Sequence, residues 1–203
     1  MTDSTKYTPD HASGVNQKAV QAMQDFLEAL GLDLTSLGME KTPYRVAEAF
    51  GQFFSGLRED PKARWGSLIE TESNGLVAVR QIRFYSICEH HLLPFFGTVS
   101  IAYCPHEGKI AGFSHFAEVV DVLARRPQLQ ERFTADICQA VTEGLQADGA
   151  LVIVQGTHLC LSMRNRQGSD SDIVTQASYG CLAEGTEAGR EAWKLLMKGA
   201  NHD

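Results

Sequence analysis

The sequence predicts an α+β fold, and three observations carry that prediction. Apolar residues recur at helical spacing between Val15 and Phe54. Beyond Asn74-Gly75 the pattern changes to runs rich in β-branched and aromatic residues, the signature of strands. Helical periodicity then returns between and after these runs. The resulting order is two helices, two strands, two helices and further strands, with the helices expected on one face of the sheet.

Residues 1–14 are polar, contain Pro9 and Gly14, and read as a loosely docked tail. Ala19, Val20, Met23, Phe26, Leu27 and Leu30 mark one face of an amphipathic helix over residues 15–30, stopped by Gly31. Thr42 and Pro43 form an N-cap and first-position pair that opens a second helix, ending near Ser55-Gly56. Together they give an N-terminal helical region over residues 15–57. Residues 58–75 are polar and turn-rich and read as a connection. Strands over residues 76–87 and 95–104 begin a domain that spans residues 76–203. Ser114 is placed to cap a helix reaching Arg126, with Phe116, Val119, Val120 and Leu123 on its apolar face. Pro127 breaks it, and another helix covers residues 129–146. Strands follow over residues 150–155 and 158–163, then a polar loop over 167–171 and a strand near 173–177. A helix over 187–198 closes the chain. No internal repeat divides what reads as a single functional domain.

The bulk properties exclude several classes of function. With 203 residues, 43% of them hydrophobic and 21% charged, the chain can bury a real core. A formal net charge of −7 argues against a nucleic-acid or anionic-membrane partner, since both need a basic face. No apolar stretch approaches the roughly 20 residues of a membrane span. Asp3, Asp10 and the lack of an apolar core near the N-terminus predict no secretory signal. Five cysteines, an odd and scattered set, predict no disulfide framework, so the cytoplasm is the expected compartment.

Chemistry concentrates in two short segments, Cys88-Glu89-His90-His91 and His158-Leu159-Cys160. Thiolates and imidazoles in two distant clusters are the donor set of a zinc site assembled by folding. Either half alone is weak, because a Cys-x-x-His pair is common by chance and a buried cysteine is an ordinary core residue. Together they are specific. His158 and Cys160, two apart on an expected strand, should share a face. His90 and His91 are adjacent and should diverge, so that one ligates while the other handles protons. A structural knuckle would want four protein ligands, and no second Cys-x-x-Cys half is present. Cys104, Cys138 and Cys181 read as small core or half-buried residues, and His11, His106 and His202 have no partner pattern.

Cys88-Glu89-His90-His91, Gly112-Phe113-Ser114, the run Arg126-Pro127-Gln128-Leu129-Gln130-Glu131-Arg132 and His158-Leu159-Cys160 resemble the GTP cyclohydrolase I family. The segment from Gly38 through Thr42-Pro43-Tyr44-Arg45-Val46-Ala47 matches as well, and the similarity runs from about Leu32 to about Arg164. The resemblance implies a tunnelling fold with an N-terminal helical arm, its antiparallel four-stranded sheet backed by two helices. It implies a homo-oligomer, pentamers stacked into a decamer, with active sites between subunits. It further implies a zinc ion held by Cys88, His91 and Cys160, and a guanine attacked by water at C8. His90 and His158 would protonate ring nitrogens as formate leaves. Gln130 and Glu131 would grip the guanine, the carboxylate accepting from N1–H and the exocyclic amine. Ser114 would lie near the ribose, although an N-cap role explains it equally well, and Arg164 and Arg45 would face phosphates. The family reaction converts GTP to 7,8-dihydroneopterin triphosphate, in pterin and tetrahydrofolate biosynthesis.

The departures from the family pattern cluster on the triphosphate side. Where the family usually carries a lysine and an arginine after the matched serine, this chain has His115 and Glu118, and Glu48 replaces a lysine on the second helix. Asn165 follows the matched arginine in place of glycine. Charge-assisted hydrogen bonds contribute roughly 1.5–3 kcal/mol each, so losing three forfeits on the order of 5 kcal/mol. That corresponds to about a 10³–10⁴-fold loss of affinity. The resemblance implies a cyclohydrolase of GTP, and these departures raise two alternatives. One is a paralogue that opens a non-triphosphorylated guanine-like purine, with Glu48 and Glu118 accepting from sugar hydroxyls. The other is a catalytically silent purine-binding regulator.

Overall fold

The computed structural model describes residues 14–72, 75–163 and 171–198. The chain divides into two compact units, Met1–Gln52 and Phe53–Asp203. Among the described residues no helix is long and apolar enough to cross a membrane.

In the first unit, Asn16 caps helix α1 (Gln17–Ala29) by accepting from the Lys18 N–H, and Gly31 takes the positive φ (87°) that ends it. α1 buries none of its residues, and Phe26 and Leu30 of its apolar stripe are exposed. Asp33 holds the following turn through bonds from the Thr35 and Ser36 amides. Helix α2 (Thr42–Phe53) then starts with Pro43 in its first turn, as its sequence dictates.

The second unit is built on a five-stranded sheet. In chain order its elements are two 3₁₀ turns (Ser55–Arg58, Pro61–Arg64), β1 (Ile69–Glu70), β2 (Val77–Cys88), β3 (Pro94–Cys104), a third 3₁₀ turn (His106–Gly108) and β4 (Lys109–Ile110). There follow α3 (Phe113–Ala124), β5 (Pro127–Gln128), α4 (Gln130–Leu145), β6 (Gly149–His158), α5 (Leu159–Ser162), β7 (Ile173–Gly180) and α6 (Glu187–Met197). The main sheet runs β5-β2-β3-β6-β7, with β2, β3, β6 and β7 antiparallel and the short β5 parallel to β2. β1 and β4 pair separately.

Strand alternation sends side chains to two cores, which is where the expectation of helices on one face fails. Val99, Ile101 and Tyr103 of β3 and Ala150, Val152 and Val154 of β6 join Phe116, Leu123, Phe133 and Ile137 of α3 and α4. Their neighbours Ala102, Leu151 and Ile153 face the other way and pack with Leu182, Ala192 and Leu196, so α6 covers the second face. The uninterrupted apolar run of β6 is the mark of a strand buried on both sides.

Three further expectations are corrected. Residues 58–75 are more than a polar connection: Trp65 is 2% exposed, donates its indole N–H to the Ala140 carbonyl (3.0 Å) and meets Phe116 edge-on. Ser114 is not an N-cap. The helix begins two residues earlier, with Gly112 as its cap and the His115 amide bonded to the Gly112 carbonyl, so Ser114 lies exposed in the first turn. The strands expected over residues 150–155 and 158–163 are one strand and a helical turn. Gly156 and Thr157 continue the ladder opposite Gly97 and Phe96, and the chain coils only after His158.

Candidate functional site

β2 ends at Cys88, and the chain reverses through Glu89, His90, His91 and Leu92 into β3. The Cys88 amide donates to the Leu93 carbonyl and the Leu92 amide to the Cys88 carbonyl, both at 2.9 Å. Leu92 takes a positive φ of 54° to close the turn. Cys88 is buried while His90 and His91 are exposed, their rings 6.2 Å apart and nearly perpendicular, as adjacent residues on a turn must diverge.

On the other side of β3, β6 ends at His158 and turns into the helical segment that carries Cys160. His158 and Cys160 therefore meet around a strand-to-helix corner, closed by a Ser162 hydroxyl bond to the His158 carbonyl (3.3 Å), and not on one strand face. β3 holds both halves in register, pairing Pro94 with Ile87 and Phe95 with His158. One donor atom from each of Cys88, His158 and Cys160 consequently lies within 4.8 Å of the others. Two thiols and an imidazole at this spacing are a donor set suited to zinc. His91, the ligand that the resemblance implies, is not a member of this group and sits on the exposed turn.

Gln130 sets the state of His158. It is 2% exposed at the start of α4, and its amide nitrogen faces the carbonyls of Val154 (3.2 Å) and Ile173 (2.9 Å) and the Thr175 hydroxyl (3.1 Å). Two carbonyl acceptors fix that end as the NH₂ group, so the amide oxygen faces His158 Nε2 at 2.9 Å and must accept from it. The Nε2 proton is thereby assigned, and in the neutral ring Nδ1 keeps a lone pair. Burial pushes the His158 pKa below its ordinary value, with the Glu131 carboxylate acting in the opposite sense. Phe95 stacks on the ring, centroids 4.7 Å apart and planes 8° from parallel. Sequence reasoning gave Phe95 no site role; its pairing opposite His158 across the β3–β6 ladder is the signal that could have found it.

Most of the run Arg126–Arg132 builds this corner. Arg126 donates to the carbonyls of Gly56 (3.0 Å) and Glu59 (3.4 Å). Gln128, also 2% exposed, donates to the Ser86 hydroxyl and the Leu123 carbonyl while its backbone pairs with Cys88. Arg132 reaches Glu89 on the turn at 2.7 Å. Glu131 alone leaves its carboxylate exposed, in the first helical turn where the macrodipole favours an anion. The structure thus employs Gln130 inside the fold and places Glu131 where its charge reaches His158.

The other expected site residues fall on other elements of the chain. At the start of α3, His115 Nδ1 is 3.7 Å from Glu118, too long for a hydrogen bond, and the ring packs beside Gly66 and Gly112. Arg45 and Glu48 are exposed on α2 in the first unit. Arg164, with Asn165, His11 and His202, lies outside the described residues.

The family model for GTP cyclohydrolase I matches residues 19–197. The chain belongs to the GTP cyclohydrolase I family. It is therefore a hydrolase of that family. A GTP cyclohydrolase 1 of Geobacillus kaustophilus is 43% identical over 175 residues, covering 86% of this chain and 93% of the relative. That of Streptococcus agalactiae is 38% identical over 183 residues, covering 90% and 98%. A crystal structure of the archaeosine synthase QueF-Like in the apo form aligns with 54% of this chain and 97% of its own, at 22% identity and a TM-score of 0.43. The matched segment of this GTP cyclohydrolase I family member contains both halves of the Cys/His cluster and the whole Gln130–Glu131 corner.

Proposed function

We propose that this protein is a zinc-dependent cyclohydrolase that opens the imidazole ring of GTP at C8 and releases that carbon as formate. The observation that carries the reading is the convergence of Cys88, His158 and Cys160, with the His158 tautomer locked by Gln130. Cys88 and Cys160 would hold the metal together with one imidazole. Zinc bound there supplies Lewis acidity that makes water a nucleophile near neutral pH. Following the resemblance, His91 completes the ligand set, and His158 Nδ1 takes a proton and returns it to a ring nitrogen as a C–N bond to C8 breaks. His90, exposed on the same turn, serves the second nitrogen. Glu131 accepts from guanine N1–H and the exocyclic amine, a pattern adenine cannot offer. The tunnelling fold, a pentamer or decamer with sites between subunits, and a cytoplasmic location in the pterin pathway belong to the same proposal.

The closeness of His158 to both thiols favours a second ligand set, Cys88, His158 and Cys160. Elemental analysis of His91→Ala and His158→Ala separates the two: the variant that loses stoichiometric zinc identifies the ligand, and zinc retained with lost turnover identifies the proton carrier. Formate release from GTP, guanosine and guanine by zinc-loaded protein tests the reaction itself. The His115–Glu118 pair puts a carboxylate at the start of α3 where the family pattern has cations, which favours a less phosphorylated purine as the alternative substrate. A kcat/KM higher for guanosine than for GTP would establish that alternative. Purine binding with no formate would establish a regulatory homologue and refute catalysis.

A further inference from the structure

The end of β6 remote from His158 brings two thiols together. Cys104, the last residue of β3, pairs with Gly149, the first of β6, and Gly149 pairs with Gly180, the last of β7. Directly opposed residues of an antiparallel pair project to the same side of a sheet. The empty space over Gly149 is therefore the space beside the Cys104 side chain, on the face that α6 covers. The chain leaving β7 fills it. Gly180, at φ +60°, turns Cys181 back over the sheet, and a Cβ on Gly149 would lie only 2.5 Å from the Cys181 sulfur. Backbone bonds at 3.0 Å strap the corner, from the Asp148 amide to the Cys104 carbonyl and from the Cys181 amide to the Asp148 carbonyl. The Cys181 thiol lies close enough to the Cys104 thiol to raise its pKa. Cys104 is half-buried, Cys181 is exposed, and neither is in a disulfide.

We propose that Cys104 and Cys181 are a redox-active pair that closes to an intramolecular disulfide by exchange with a low-molecular-weight disulfide. The exposed Cys181 thiolate attacks one sulfur of the small disulfide, whose S–S bond breaks and releases a first small thiolate. Cys104 then attacks the Cys181 sulfur, gives up its proton and expels the second small thiolate. The two protein thiols are oxidised by two electrons, the small disulfide is reduced to two thiols, and the two protons end on those leaving groups. Burial, followed by the Cys181 hydrogen bond, pushes the Cys104 thiol up to about 12, so the exposed Cys181 makes the first attack and the half-buried Cys104 the second. The other cysteines are placed differently: Cys138 is buried in α4, and Cys88 and Cys160 lie at the far end of β6, about 30 Å away for a strand of this length.

The test treats the protein as purified with oxidised glutathione and alkylates the remaining thiols. Unreduced protein is then digested with proteases that cut after Lys, Arg and Glu, so that Glu89 separates Cys104 from Cys88. The expected result is a Cys104–Cys181 linked peptide pair, loss of two alkylatable thiols, reversal by dithiothreitol, and a rise in Tm on the order of 5–10 °C from closing a long loop. Cys104→Ser should instead trap glutathione on Cys181, and Cys160→Ser should leave the link intact. Persistent glutathione on wild-type Cys181 beside an alkylated Cys104 would overturn the proposal. So would full alkylation of both, or loss of the link in Cys160→Ser.

Discussion

Replacing Gln130 with leucine tests the corner that orients His158. The substitution keeps the apolar bulk at a nearly fully buried position and deletes every polar atom of the side chain. The Val154 and Ile173 carbonyls and the Thr175 hydroxyl lose their amide donor, and the half-buried His158 Nε2–H loses its acceptor. A net contribution near 1 kcal/mol for each of the three amide contacts, with a further 1–3 kcal/mol for the stranded imidazole donor, gives about 4–6 kcal/mol of destabilisation. For a chain of this size that lowers Tm by on the order of 10 °C. The imidazole also loses what fixes its tautomer, so formate release should fall about 10–100-fold, the order of effect that follows loss of a partner that orients a site histidine. Differential scanning calorimetry reads the first number and a formate assay the second. A Gln130→Leu protein melting within about 2 °C of wild type would refute the reasoning, because an amide with that little effect cannot be holding the corner.

Gly156→Ala attacks the same contact by crowding: its Cβ would sit 2.5 Å from the Gln130 amide oxygen, so turnover should fall as in Gln130→Leu while stability drops by only about 1–2 kcal/mol, read from denaturant midpoints. Gly144→Ala should destabilise by about 1–3 kcal/mol by urea titration, because the added methyl would lie 1.9 Å from the rigid Trp65 indole. Helix propensity alone predicts a gain of about 1 kcal/mol there, so the sign of the change decides between the two effects. The Lys62 hydrogen bond holds the Glu143 carboxyl below its ordinary value. A lowered carboxylate stabilises above its unfolded pKa and loses that contribution as pH falls through the folded one. The Tm gap between wild type and Glu143→Gln, small because both side chains are exposed, should thus be present at about pH 7 and vanish towards about pH 3.

Much of this architecture was legible in the chain because the core elements are strongly periodic. α3 and α4 carry their apolar stripes at helical spacing, and β2 and β3 are dense in β-branched and aromatic residues. Legibility ended where tertiary contacts outweigh local signals. Gly156-Thr157 looks like a break, yet the strand continues because Gly97 lies opposite and the Gln130 amide oxygen occupies the space that a side chain on Gly156 would take. Trp65 sits among polar neighbours that conceal its burial, which depends on a gap at Gly144 in another element. The Cys/His halves were visible as chemistry, but their meeting depends on the corner after His158, which no spacing rule encodes. Gln130 and Glu131, adjacent and both polar, read as a pair; only the fold turns one inward to bind backbone and leaves the other at the surface.

Because β3 lies between the strands that bear Cys88 and His158, the donor cluster they form has no local precursor. A chain still emerging from synthesis offers the first turn long before the second exists. An ion caught early would be held by one thiol and surface imidazoles alone, and would exchange with any competing chelator. Loading of the proposed zinc would thus follow assembly and not template it, the reverse of a finger domain that collapses around its metal.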